Sequence, residues 1–232
     1  MKEYERKMNN KEQKVNNKFK AIIFDFDYTL ADTSKGAMEC INFSLNSLGL
    51  PIASYKAVCK TIGMSLSETF HTLGGKKNKA QTDEFIHYFK TRADETMEEL
   101  SFIYDSVPSV TQRLKQNGLS LGIVSTKFRY RIEAILKREK LLDVFDVIIG
   151  GEDVSNQKPD PMGLKTAIKR LGTSNASTLY VGDSIIDAQT AAGAKIPFAA
   201  TLSGITKRRE FDKYNFRKVA KDLYELGDWL LK

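Results

Sequence analysis

The residues Ala21-Ile22-Ile23-Phe24 are apolar without a break, and Asp25-Phe26-Asp27-Tyr28-Thr29-Leu30 follows at once. A short, continuous apolar run suits a strand buried on both faces of a parallel sheet, so this one is predicted to be central. Ligands of open α/β sheets gather at the carboxyl ends of the strands, which is where the two acids fall. Alternate residues of a strand face the same way, so Asp25 and Asp27 can address one site while Phe26 turns aside. One carboxylate there can serve as nucleophile or metal ligand and its neighbour as acid and base. The same residues could also be plain caps or turn formers, roles that Asp favours.

Three later segments favour chemistry. Leu121-Gly122-Ile123-Val124 is a second apolar run and delivers Ser125, Thr126 and Lys127 at its end. Gln157-Lys158-Pro159-Asp160-Pro161 puts a lysine in an extended stretch, because the residue before proline avoids helical backbone. Asp160 is then predicted to cap a helix with Pro161 at its first position. Leu179-Tyr180-Val181 leads into Gly182-Asp183-Ser184-Ile185-Ile186-Asp187. Acid pair, hydroxyl, lysine and acid pair thus follow one another, each past a strand or in a loop.

In this order the motifs resemble those of the haloacid dehalogenase-like hydrolase superfamily: Asp25-Phe26-Asp27-Tyr28-Thr29, Ser125, Lys158, and Gly182-Asp183-Ser184 with Asp187. The resemblance runs from about residue 19 to about residue 206 and is nearest in style to the phosphoglycolate phosphatase-like branch. It implies a Rossmann-like parallel-sheet α/β core carrying an inserted all-helical cap, with the core at 19–33 and 105–232 and the cap at 34–104. It further implies a Mg2+-dependent phosphatase acting on a small phosphorylated metabolite. Asp25 would be the nucleophile and Asp27 the acid and base, with its carbonyl on the metal. Lys158 and Ser125 would hold the phosphoryl group, with Thr126 a competing hydroxyl. Asp183 would complete the metal set with Asp25, and Asp187 would support the metal through water. A phosphosugar mutase would use the same core residues, and a catalytically idle binding module is the alternative from another class. Two departures stand out: Tyr28 where glycine is commonest, expected to affect the turn more than the chemistry, and Ser125 where threonine is more usual.

Each residue also has a plainer reading. Lys158 is one of 36 basic side chains, Ser125 could end its strand with a local turn bond, and Asp187 suits the first turn of a helix. His71 and His87 fall outside all four motifs and are expected to be structural or exposed. Arg92 and Arg129 are candidate substrate contacts, though surface salt bridging suits each as well.

The net charge of +7 invites a nucleic-acid reading, but residues 1–20 hold seven Lys/Arg against three Asp/Glu and so account for +4 of it. The body carries no basic stripe interleaved with aromatics, and no nucleic-acid partner is expected. Residues 1–18 lack an apolar signal core and read as a disordered basic tail. No apolar run approaches the ~18 residues of a membrane span. Cys40 and Cys59 have no metal-type spacing. Two thiols make no disulfide framework, so a reducing cytoplasm is predicted; the protein is expected to be a monomer or weak homodimer, a state no motif in the chain specifies. Apolar spacing predicts cap helices over 34–48, 54–61, 65–73 and 81–100. In the last, Phe85, Ile86, Phe89, Ala93 and Met97 form a stripe expected to be cap core rather than ligand pocket.

Overall fold

The computed structural model describes residues 19–76 and 78–232, so the expected tail at 1–18 lies outside the described residues. Six strands form one parallel sheet in the order β5-β4-β1-β6-β7-β8. They are β1 (Ala21–Phe24), β4 (Ser120–Val124), β5 (Val147–Ile149), β6 (Thr178–Gly182), β7 (Phe198–Thr201) and β8 (Lys218–Ala220). The unbroken apolar run Ala21–Phe24 is therefore a central strand, and every residue of β1 is fully buried. Its flanks are β4 on one side and β6 on the other, so the chain order reverses there; such a switch point opens a crevice at the strand ends. Phe24 pairs with Ile123 and with Val181, which sets Asp25, Ser125 and Asp183 just beyond neighbouring strand ends.

Side chains divide between the faces with the strand period. Ile22 and Phe24 join Ile123 and Val181 under α5 (Ser106–Gln116), α6 (Arg129–Arg138) and α9 (Leu223–Leu230). Ile23, Val124 and Tyr180 face the other way, under α7 (Met162–Arg170) and α8 (Ile185–Ala194). Apolar residues at three- and four-residue spacing, such as Val107, Val110 and Leu114, turn each helix onto the sheet. The α7 helix starts one residue later than the proline pattern predicts. Pro161 is its cap, and Asp160 Oδ1 accepts from the Met162 amide at 2.9 Å.

Between β1 and α5 lie four helices with an apolar cluster of their own: α1 (Ser34–Ser47), α2 (Tyr55–Cys59), α3 (Leu66–Thr72) and α4 (Lys79–Thr96). A two-stranded antiparallel ribbon, β2 (Ala31–Asp32) with β3 (Phe102–Ile103), joins the entry and exit of this cap. Phe70 stacks on Phe85 at a centroid distance of 4.8 Å near the cap centre. The α4 stripe does two jobs, which corrects the expectation of core alone. Phe85, Phe89, Ala93 and Met97 are cap core, and Ile86, Phe89 and Met97 also line a cavity between cap and sheet. The reason is geometric: a helix covering a concave face can bury one flank and offer the adjacent flank to the space beneath.

Tyr28 departs from expectation as well. It holds a left-handed backbone (φ 60°), which favours glycine and is uncommon for a bulky residue. Yet the residue is 7% exposed, and its phenol lies within electrostatic reach of Cys59 of α2. Burial first and Cys59 second hold its phenol above the ordinary range. The residue thus joins the turn after β1 to the cap.

Candidate active site

The site lies at the carboxyl ends of β1, β4 and β6. Asp25 and Asp183 come directly off β1 and β6, 2% and 5% exposed. Lys158 reaches them from the β5–α7 loop through a cis bond to Pro159, and its side chain is 4% exposed. Its ammonium lies 2.9 Å from Asp25 Oδ1 and 2.7 Å from Asp187 Oδ1, bridging the two acids. The Tyr180 hydroxyl accepts from Lys158 at 3.2 Å and lies within donating distance of Asp187 Oδ1 (2.9 Å) and the Val124 carbonyl (3.1 Å).

Asp187 owes its place to a capping box. Ser184 caps α8, its hydroxyl accepting from the Asp187 amide, while Asp187 Oδ2 accepts from the Ser184 amide and hydroxyl. With Lys158 on Oδ1 and the Ser184 amide and hydroxyl on Oδ2, three of the roughly four acceptor positions of the carboxylate are taken. The side chain is fully buried and anchors the lysine.

Burial dominates the electrostatics. Desolvation, reinforced by Asp187 and Asp27 and opposed by Lys158, pushes Asp25 up to about 7. Desolvation and the charges of Asp187 and Asp25 hold Asp183 well above the carboxylate range. Burial pulls Lys158 down, but Asp187 and Asp25 outweigh it and keep the ammonium charged. Four carboxyl groups here face two lysines, Lys158 and Lys127, so ionising all four would leave negative charge in excess. One oxygen from each of Asp25, Asp183 and Asp187 lies within 4.8 Å of the others. Buried carboxyls held up by one another's charge, all oxygen donors, fit a hard divalent cation that would stabilise their ionised forms.

Other neighbours were not apparent from the motifs. Lys127 Nζ sits 3.0 Å from Asp27 Oδ1, both side chains less than a tenth exposed. Thr29 Oγ1 donates to Asp183 Oδ1 at 3.2 Å. A Cβ on Gly204 would lie 1.9 Å from Asp183 Oδ2, so only glycine lets the β7–β8 loop pass there. Lys127 directly follows the Ser125-Thr126 pair, so its position past the same strand end is legible in the sequence. Gly204 and Tyr180 carry no local signal of a site.

Ser125 is buried at the end of β4 and does make a local turn bond, its hydroxyl accepting from the Lys127 amide at 3.3 Å. Thr126 donates its hydroxyl to the Gly63 carbonyl of the cap at 3.3 Å and lines the same cavity as Asp27 and Lys127. Arg92 is tied to Glu39 and Glu95, and Arg129 to Asp153 and Glu133; neither lines the cavity beside the site. The cavity's cations are instead Lys90, Lys127 and Arg131. His71 bonds Thr82 at 3.2 Å, and His87 is exposed.

Residues 22–201 match the sequence pattern of the haloacid dehalogenase-like hydrolase family. The chain belongs to that family. A phosphoglycolate phosphatase of Yersinia pseudotuberculosis is 35% identical over 191 residues, 78% of this chain and 81% of that protein. The pyrophosphatase PpaX of Bacillus mycoides is 32% identical over 190 residues, 81% and 86% of the two chains. A Bacteroides fragilis structure carrying the description haloacid dehalogenase-like hydrolase superposes with a TM-score of 0.88. It is 38% identical and covers 90% of this chain and 100% of that one. This protein is accordingly a hydrolase, with an α/β core and helical cap of the family type.

Proposed function

We propose that this protein is a magnesium-dependent phosphatase that hydrolyses a small phosphorylated metabolite through an aspartyl-phosphate on Asp25. The observation that carries the reading is the buried line Asp25–Lys158–Asp187 beside Asp183, with Asp27 two residues from the nucleophile. The relatives named phosphoglycolate phosphatase and pyrophosphatase support phosphoryl chemistry of this kind. Two buried, unpaired thiols, Cys40 and Cys59, suit a reducing cytoplasm. Among the described residues no helix is long and apolar enough to cross a membrane.

An Asp25 oxygen attacks phosphorus, and the ester bond to the leaving oxygen breaks. Asp27 gives that oxygen its proton, so the alcohol departs neutral. Asp27, now charged, takes a proton from a water that attacks the phosphoryl group, freeing phosphate and restoring both carboxyls. Lys158 holds the phosphoryl group against Asp25 and offsets its charge, and Ser125 donates to a phosphoryl oxygen. Asp187 and Tyr180 keep Lys158 aimed. Magnesium, held by the Asp25 and Asp183 side chains and the Asp27 carbonyl, would supply the remaining positive charge.

Chelation is the test. Exhaustive removal of divalent ions is expected to abolish turnover of an aryl phosphate, with recovery on adding Mg2+. Mg2+ at about 100 times its Kd should raise the Tm by roughly 5–10 °C, because it binds the folded state only. Asp183→Asn should lose most of that rise. Full turnover in chelator, or an equal Tm rise in the variant, would contradict the metal assignment.

A further inference from the structure

A cavity of about 220 Å³ lies between the sheet and the cap. It meets the site at Asp27 and Lys127, while Asp25, Lys158 and Asp183 do not line it. If Asp27 protonates the leaving oxygen, as proposed above, what fills this space is the leaving group. Its wall is largely apolar, with Ile41, Ile62, Met64, Ile86, Phe89 and Phe128 contributed by both cap and core. The volume is more than ten times the ~10–15 Å³ needed by one water, so a two-carbon acid or a second phosphate would leave water against hydrocarbon.

The charged groups on the wall point the same way. A glycolate carboxylate or a second phosphate needs a cation with nothing else to hold. Lys127 is paired with Asp27, and Arg131 with Asp94 at 2.7 Å and with the Lys90 carbonyl at 2.9 Å. Lys90 rests its ammonium over the Phe128 ring, 4.8 Å from the centroid. Its charge also bears on the Asp94 carboxylate that Arg131 holds, so each of the three cations already has a counter-charge.

We infer that the substrate is a phosphate monoester whose alcohol carries a compact apolar body, such as an aromatic or branched ring-sized group, and that the cap pocket selects for that body. This rests on the phosphatase reading and narrows its substrate class away from that named for either relative. The selecting residues are those of the cap loop and α4, Ile62, Met64 and Ile86 foremost.

The test compares kcat/KM for benzyl phosphate, ethyl phosphate, 2-phosphoglycolate and inorganic pyrophosphate, using the full chain at fixed Mg2+ and salt. Benzyl and ethyl phosphate both release primary alcohols, so their ratio reads the pocket. Benzyl phosphate is expected to exceed each of the others by at least about tenfold. Met64→Gln, which keeps length and adds a polar amide, should narrow the benzyl-to-ethyl ratio at least about threefold while the Tm stays near wild type. A preference for phosphoglycolate or pyrophosphate, a benzyl-to-ethyl ratio near one, or a ratio unmoved by Met64→Gln would overturn the pocket assignment and leave the phosphatase standing. Failure to hydrolyse any of the four with Mg2+ present would overturn the phosphatase itself.

Discussion

Lys158→Met is expected to lose turnover and stability together. In the folded protein the ammonium is nearly inaccessible and bridges Asp25 and Asp187 at 2.9 and 2.7 Å. Breaking a buried ion pair by removing one partner strands the other charge, at a cost of about 3–5 kcal/mol. Here two acids would be stranded side by side, next to an Asp183 already held up by burial and by their charge. Methionine fills similar volume, so the loss reads charge more than packing. The denaturation midpoint of the metal-free protein should fall accordingly, and turnover should drop by about 10³-fold or more as the phosphoryl group loses its cationic partner. An unchanged midpoint would mean that the lysine is not the counter-ion of the cluster. An unchanged rate would mean that it does not hold substrate.

Asp25→Asn separates the same two quantities. The amide keeps the shape of the side chain but cannot attack phosphorus, so turnover should fall by at least about 10⁴-fold. Stability should not fall with it. Desolvation, the largest influence on Asp25, works against its charge, and Lys158 keeps Asp187 as partner when the amide replaces it. The metal-free variant is expected to melt at or above the wild-type temperature. A folded Asp25→Asn protein with substantial activity would exclude this residue as nucleophile, and a collapse in Tm would make its role structural.

What could be read from the chain depended on how local its cause was. A strand buried on both faces announces itself as an unbroken apolar run, so β1, β4 and β6 and the acids and hydroxyl at their ends were visible. The cap helices were visible within a few residues through their apolar spacing. The β2–β3 ribbon was not, because two-residue strands have no period to detect. Asp187 was readable as a first-turn acid, but its partners Lys158 and Tyr180 are set by how the loops meet, 29 and 7 residues away. The same holds for Lys127 against Asp27 and for Gly204 against Asp183. Tyr28 shows the reverse difficulty. Its departure from glycine was plain, but the side chain's destination in the cap needed coordinates. The cavity wall could not be assembled from any one segment, since cap loop, α1, α4 and the β4–α6 loop all contribute.

The central claim, a covalent phosphoryl group on Asp25 resolved with the help of Asp27, has a direct measurement. Asp27→Asn cannot activate water, but an aryl phosphate with a good leaving group needs little acid to depart. Mixing this variant with 4-nitrophenyl phosphate and Mg2+ should release a stoichiometric burst of 4-nitrophenol followed by very slow turnover. Acid quench and peptide mass spectrometry should then find the phosphoryl group on Asp25. Absence of both burst and label, or a label on any other residue, would contradict the mechanism.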